Sequence, residues 1–255
     1  MDWVLMPGAA VLPALAVCGL FALCGVWFRR SVAAGETLRA STWPAVLLGL
    51  LSLAMALHAF PWLPRWQILA PVQLSEGAPP FTLSLSLDKA LAGWGLMWWA
   101  CRRCGSLRDV RRMLPSLLAG ACATVFVVMG LAWLSHIVRW DPKWPAQAGV
   151  FLLVNLLVTC VAEEAFFRGL LQERLTQLWA MRPRALSCGL PVFLSACLFG
   201  LAHLGGGVRY ALLATVAGLG YGLVYARTRR IEAAILTHFA VNTAHFLLFT
   251  YPRLA

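Results

Sequence analysis

Eight apolar segments follow one another along the chain, separated by stretches that contain polar residues, glycine or proline. The bilayer core offers no water, so backbone groups inside it must bond internally and long apolar runs there form helices. A helix needs about 20 apolar residues to cross that core. The pattern therefore predicts an all-α fold, a polytopic membrane helical bundle with about eight transmembrane helices. The segments cover residues 4–28, 43–63, 81–100, 117–138, 147–171, 189–205, 210–226 and 232–249.

The segments do not all fit the pattern equally well. The third is the weakest, because Asp88 and Lys89 interrupt it, and the sixth and seventh are short and separated by the glycines at 205–207. We expect the Pro-containing stretch at roughly 64–80 to be an outer loop. The first segment follows Met1-Asp2-Trp3, which lacks the basic residues of a signal peptide, so we expect a retained helix.

The composition indicates that most of the surface faces lipid. Hydrophobic residues make up 61% of the chain and charged residues only 12%, whereas soluble domains are about half apolar and a quarter charged. The net charge of +11 comes without a basic stripe or a recognition motif, which argues against nucleic acid as a partner. Cys101 and Cys104 form a CxxC pair without further ligands nearby, so we interpret them as structural or incidental.

The basic residues fall mainly into alternate connections between the segments. Fourteen follow the odd-numbered segments and five lie on the other side. Because cytoplasmic loops are enriched in Lys and Arg, this split predicts cytoplasmic odd-numbered loops and places both termini outside. The fourteen are Arg29, Arg30, Arg39, Arg102, Arg103, Arg108, Arg111, Arg112, Arg174, Arg182, Arg184, Arg227, Arg229 and Arg230, and the five are Arg65, Arg139, Lys143, Arg209 and Arg253.

A cluster of ionisable residues lies inside the fifth segment. A charge at the membrane centre costs at least about 2.5–3.5 kcal/mol, so such residues are functional candidates by default. Glu164 and Arg168 are four residues apart, share a helix face and can form an ion pair that offsets their burial. Glu163 points about 100° away from Glu164. A structural ion pair explains Glu164 and Arg168, whereas Glu163 remains for chemistry.

Two further clusters lie in the sixth and eighth segments. Phe199 and His203 share one helix face, and so do His238 and Asn242. A lone intramembrane His or Asn often only bonds a neighbouring helix, but two polar side chains on one face are harder to explain in this way. His245, seven residues after His238, is a candidate for an outer position. We interpret His58 and His136, which have no such company, as interfacial or structural.

Taken in order, the three clusters read EExxxR, FxxxH and HxxxN, each on its own apolar helix. This set resembles the CPBP family, the CAAX-prenyl-protease-like and bacteriocin-processing intramembrane proteases, also called the ABI family. The motif-bearing region covers about residues 117–249. It divides the chain into N-terminal transmembrane helices of unassigned role (1–116) and a CAAX-protease-like catalytic membrane domain (117–255).

The resemblance implies an intramembrane endopeptidase that cleaves near the membrane. Glu163 would be the general base and His203 would help to hold and activate a water. His238 and Asn242 would stabilise the oxyanion, with Glu164, Arg168 and Phe199 as supporting residues. The implied partners are the lipid bilayer and a peptide or membrane-anchored protein substrate. The positive-inside pattern and the lack of a targeting peptide favour a bacterial inner membrane.

Two alternatives remain open at this point. Glu163, His203 and His238 could form a His₂Glu zinc site, as in metalloendopeptidases, although no HExxH motif is present and the family likeness favours a reaction without metal or cofactor. The buried charges could instead serve a non-catalytic transporter, channel or immunity protein. Because Glu163 is expected toward the cytoplasmic end of its segment, the site is predicted to open toward the cytoplasm.

Overall fold

The computed structural model describes residues 8–38, 40–183 and 185–254, and each predicted apolar segment contributes one helix. The helical bundle predicted from the sequence is confirmed. A two-stranded antiparallel hairpin, β1 (Arg65–Val72) and β2 (Phe81–Ser86), lies between the second and third helices. The helices are α1 (Gly8–Ala33), α2 (Thr42–Ala56), α3 (Leu87–Trp99), α4 (Leu107–Leu134), α5 (Ala148–Leu178), α6 (Leu190–Ala202), α7 (Val208–Thr228) and α8 (Ile231–Leu248).

Helix α5 is the central element of the bundle. In its most apolar stretch of 18 residues 56% is buried, compared with 28–44% in the same stretch of the other four long apolar helices of the described chain. Two π-helical stretches, Asn155–Cys160 and Ala165–Gln172, flank a short α-helical stretch at Val161–Glu164. Such π-turns occur frequently at functional sites, where they change which side chains share a face. Here they lie on either side of the two glutamates.

The remaining helices pack on two sides of α5. Helices α1, α2 and α3 form one apolar cluster that includes Ala165 and Leu170 of α5. Helices α4, α6, α7 and α8 form a second cluster that includes Phe167 of α5. The predicted domain boundary after residue 116 falls inside α4. Both groups of helices therefore position α5.

The hairpin corrects two predictions. The stretch at 64–80 is not merely a loop, because most of it forms β1 and the turn of the hairpin. The third segment is helical only from Leu87, and its first six residues form β2. These six residues, Phe-Thr-Leu-Ser-Leu-Ser, alternate apolar and polar side chains, which is the period of a strand rather than of a membrane helix.

The prediction of eight spans is only partly supported. Among the described residues, five helices are long and apolar enough to cross a membrane: α1, α4, α5, α7 and α8. Helix α2 has 15 residues and α3 has 13, which is about 20–23 Å at 1.5 Å per residue, against a core of about 30 Å. The chain is an integral membrane protein whose shorter helices complete the bundle.

The connections of the bundle gather at two opposite ends. At one end, which we call the arginine-rich end, Glu173 contacts both Arg102 and Arg229, and Arg174 donates to Ser41. At the other, the hairpin end, Arg139 donates to the carbonyl of Glu76. The odd-numbered connections thus meet on one side, as the charge pattern predicts. Arg39, Arg184 and residues 4–7 of the first predicted segment lie outside the described residues.

Candidate active site

Glu164 is fully buried between two cationic or polar partners. Its Oε1 accepts hydrogen bonds from Arg168 Nη1 at 3.2 Å and from His238 Nδ1 at 2.8 Å, and its Oε2 lies 3.2 Å from Arg168 Nε. The ion pair expected from the i, i+4 spacing is present. The same carboxylate also orients the His238 ring, because a carboxylate only accepts and Nδ1 must therefore carry the hydrogen. The sequence did not predict this contact.

Aromatic rings and a backbone carbonyl complete the surroundings of Arg168. Its guanidinium carbon lies 4.8 Å from the centre of the Phe199 ring and 5.4 Å from that of Tyr221, and Nη2 donates to the Gly218 carbonyl at 2.8 Å. A Cβ at Gly218 would come within 3.1 Å of that nitrogen. Phe199 also packs against the His203 ring at 4.5 Å, so it contacts both the ion pair and the second motif.

Glu163 and His203 face each other from α5 and the end of α6. Glu163 Oε2 and His203 Nε2 are 3.9 Å apart, with side chains 18% and 24% exposed. His203 Nδ1 lies 2.7 Å from the Phe199 carbonyl oxygen, which can only accept, so Nδ1 carries the hydrogen of the neutral ring. Nε2 is then an acceptor, and two acceptors 3.9 Å apart leave room for one donor between them.

Asn242 lies one helical turn beyond His238 on α8. Its Nδ2 donates to Asn155 Oδ1 at 3.3 Å and makes a longer contact of 3.9 Å with Cys160 Sγ, so the two hydrogens of the amide face these two acceptors. Asn155 is buried on α5 and also accepts from the Cys160 thiol at 3.3 Å. The two asparagines therefore connect α8 to α5 at the wall of the site.

Glu163, His203, His238 and Asn242 line a single cavity of about 370 Å³. The cavity also reaches Phe81 and Leu83 of β2 and Arg253 near the C-terminus. All of these added residues belong to the hairpin end, so the cavity extends from the middle of α5 toward that end. Glu163 is the sixteenth of the 31 residues of α5 and so lies at the middle of that helix, whereas the sequence predicted it toward the cytoplasmic end of its apolar segment.

This geometry makes two sequence predictions incompatible. The arginine-rich end was predicted to be cytoplasmic, and the site was predicted to open toward the cytoplasm. Because the cavity opens at the hairpin end, only one of these can hold. The predicted cytoplasmic opening rests on the position of Glu163 in an apolar segment whose helix continues to Leu178.

A second, smaller cavity lies on the other side of Glu163. It has about 200 Å³, and Leu53 and Leu57 of α2 and Lys89 and Leu96 of α3 form one wall. Glu163 and His203 line it as well as the larger cavity. The pair therefore lies between a polar cavity and a mostly apolar one.

Sequence reasoning missed three residues of the site. Asn155 and Thr159 line the larger cavity with Glu163, and their spacing of four residues was a signal that they share its helix face. Lys89, which interrupts the third apolar segment, binds Glu163 Oε1 through its Nζ at 2.8 Å. No local pattern could connect two residues 74 positions apart.

The side chains of the site have few free metal-binding atoms. The Nδ1 atoms of His203 and His238 are both engaged, by the Phe199 carbonyl and by Glu164. In the described part of the chain, no group of three or more His, Cys, Asp or Glu side chains is arranged to hold a metal ion. Cys101 and Cys104 are free thiols, and burial raises the pKa of each.

Comparison with known families places this site in a class. Residues 145–244 match the family described as type II CAAX prenyl endopeptidase Rce1-like. The matched segment begins in the connection before α5 and ends within α8, so it includes all three motifs. No curated protein and no solved structure matches the chain. Over these residues the chain is similar to the Rce1-like CAAX endopeptidases, a protease family, and the resemblance predicted from the motifs is confirmed.

Proposed function

We propose that the chain is an intramembrane endopeptidase in which Glu163 and His203 activate a water molecule. The observation that carries this proposal is the 3.9 Å gap between Glu163 Oε2 and His203 Nε2. A water between them can donate one hydrogen to each acceptor, and its lone pair then points away from both. That is the arrangement a nucleophilic water needs beside a peptide carbonyl.

The reaction then proceeds in two proton transfers. The water oxygen attacks the carbonyl carbon while its proton passes to Glu163, giving a tetrahedral oxyanion. The C–N bond breaks as that proton is delivered to the leaving amine. Asn242 gives the oxyanion the amide hydrogen that otherwise makes the long, weak contact with Cys160 Sγ. His238 can donate from Nε2 only when both ring nitrogens carry hydrogen, and the Glu164 carboxylate would balance that charge.

Termini mapping tests the proposal without a known substrate. Membranes of a bacterial host that expresses the wild-type chain should contain new peptide termini that are missing with Glu163→Gln, because the variant cannot take the proton from water. Glu36→Gln is the matched control, since Glu36 is an exposed residue of the connection between α1 and α2. Equal sets of termini in wild type and Glu163→Gln would refute the proposal.

The zinc alternative makes a different prediction. Glu163, His203 and His238 line one cavity, but among the described residues they are not arranged as a group that could hold a metal ion. We propose a metal-free reaction because the spacing of the carboxylate and the histidine lets them hold a water between them without a metal. Cleavage of a quenched peptide built on a mapped site should then survive exhaustive chelation. Loss of cleavage that added zinc restores would favour the metalloprotease.

We further propose that the substrate is a peptide or membrane-anchored protein, and that the chain resides in a bacterial inner membrane with its arginine-rich end in the cytoplasm. The fourteen basic residues after odd-numbered segments support this orientation. The cavity would then receive substrate from the outer side of that membrane.

A further inference from the structure

The matched family segment does not contain every charged group that touches the candidate active site. Lys89 belongs to α3, well before residue 145. Its Nζ lies 2.8 Å from Glu163 Oε1, and the two side chains are only 22% and 18% exposed. Lys89 and Lys143 are the only lysines of the chain, so a lysine at this position is not part of a general basic surface.

Close backbone packing brings α3 against α5, the helix that carries Glu163. A Cβ at Gly93 would lie 2.7 Å from Ala162 Cα, so only glycine permits this approach beside Glu163. Gly93 and Lys89 are four residues apart and share a face of α3. The packing therefore fixes the height at which the Lys89 side chain meets α5.

The start of α3 is also fixed. The Lys89 backbone N–H donates to Asp88 Oδ1 at 2.7 Å, and Asp88 Oδ2 lies 2.8 Å from His58 Nδ1 at the end of α2. Asp88 is buried, with 2% of its side chain exposed. His58 and Asp88 thus connect α2 to the first turn of α3, and Lys89 extends from that connection to Glu163.

We infer that Lys89 is a positioning residue of the catalytic site. Its ammonium group binds Oε1 and thereby directs Oε2 of the same carboxylate toward His203. Without this contact the carboxylate can rotate, and the two acceptors that hold the water lose their spacing. The N-terminal helices would then complete the active site that α5, α6 and α8 build. This inference rests on the proposed function of Glu163.

An inhibitory contact would have a different geometry. A lysine that blocked the base would cover the oxygen facing His203, where the water is needed. Lys89 instead binds the other oxygen and leaves the 3.9 Å gap open. The alternative of simple charge neutralisation predicts an effect on folding rather than on turnover, because a lone buried charge is costly in a membrane.

Turnover of the quenched peptide by purified, folded variants tests the inference. Lys89→Met should lower kcat about 10–100-fold with KM within about threefold of wild type, since the binding walls remain and only the transition-state geometry is lost. Lys89→Arg, which keeps the charge and the donor, should recover most of the loss. Lys143→Met is the matched control, because Lys143 pairs with Asp141 at the hairpin end, and it should retain wild-type kcat.

Two other outcomes for folded Lys89→Met overturn the inference. Wild-type or higher kcat in Lys89→Met would exclude positioning, and a higher value would indicate an inhibitory contact. A change confined to KM would assign Lys89 to substrate binding. If Lys89→Met does not fold, Lys89→Gln replaces it, because a polar amide is easier to accommodate there but is uncharged and too short to reach Oε1 as Nζ does, so its kcat should fall in the same direction. Glu163→Gln is measured in parallel, and cleavage by that variant would refute the proposed function itself.

Discussion

At the scale of single residues, the two adjacent glutamates have different environments although they are neighbours in sequence. Glu164 is fully buried and bound by Arg168 and His238. Glu163 is partly exposed to two cavities and bound by Lys89. The helical turn of about 100° per residue separates them, so one carboxylate supports the site and the other faces the space where substrate would bind.

The Glu164–Arg168 pair gives a stability prediction. Arg168→Met should lower the free energy of unfolding by about 3–5 kcal/mol, because it leaves Glu164 buried without its cation. The double variant Glu164→Gln/Arg168→Met should recover most of this loss while remaining inactive, since His238 loses its orienting carboxylate. Denaturant titration in detergent measures both the loss of stability in Arg168→Met and its recovery in the double variant.

A more exposed ion pair provides the control for this prediction. Arg230 and Asp109 are 31% and 23% exposed at the arginine-rich end, where such pairs contribute about 0–1 kcal/mol. Arg230→Met should therefore change stability little. A similar loss in Arg168→Met and Arg230→Met would contradict the view that burial makes the first pair critical.

At the scale of helices and strands, periodicity predicted most of what the structure contains. All eight helices follow from apolar runs, and the pairing of Glu164 with Arg168 follows from helical spacing. The hairpin was missed because its residues were read within a membrane segment, although Phe81–Ser86 alternates with the period of a strand. The π-turns of α5 leave no comparable pattern in the sequence.

Contacts between distant elements could not be predicted in the same way. Lys89 and Glu163 meet because Gly93 lets α3 approach Ala162, and this depends on how two helices cross. The link from Asn242 to Asn155 depends likewise on the packing of α8 against α5. Sequence spacing shows which side chains share a face, but it does not show which faces meet.

The turn of the hairpin, which is the part farthest from α3 along the strands, is bound to the C-terminal segment and to the connection after α4. The Tyr251 backbone N–H donates to Ser75 Oγ at 3.0 Å, and Arg139 donates to the Glu76 carbonyl. A hydrogen bond from Ser75 lowers the pKa of Asp141, and Lys143 contributes in the same direction. The strands thus extend from α3, which carries Lys89, to the C-terminal segment, which carries Arg253, and they border the mouth between them.

At the scale of the whole molecule, the direction of the cavity and the distribution of charge have to be considered together. The cavity opens at the hairpin end, and the arginine-rich end lies opposite. A strong excess of Arg and Lys is retained on the cytoplasmic side of a membrane. The substrate-facing side of the protein should then be the outer side, on which the hairpin and Arg253 also lie.

Cysteine labelling tests this orientation directly. In a variant with all native cysteines replaced, a cysteine at the exposed hairpin residue Glu76 should react with a membrane-impermeant maleimide in intact spheroplasts. Restoring only Cys188, an exposed residue of the connection between α5 and α6, should give labelling only after permeabilisation, because that connection belongs to the arginine-rich end. The reverse pattern would place the hairpin end and the cavity in the cytoplasm. In that case the predicted cytoplasmic opening of the site would be right, and the orientation predicted from the charge distribution would be wrong.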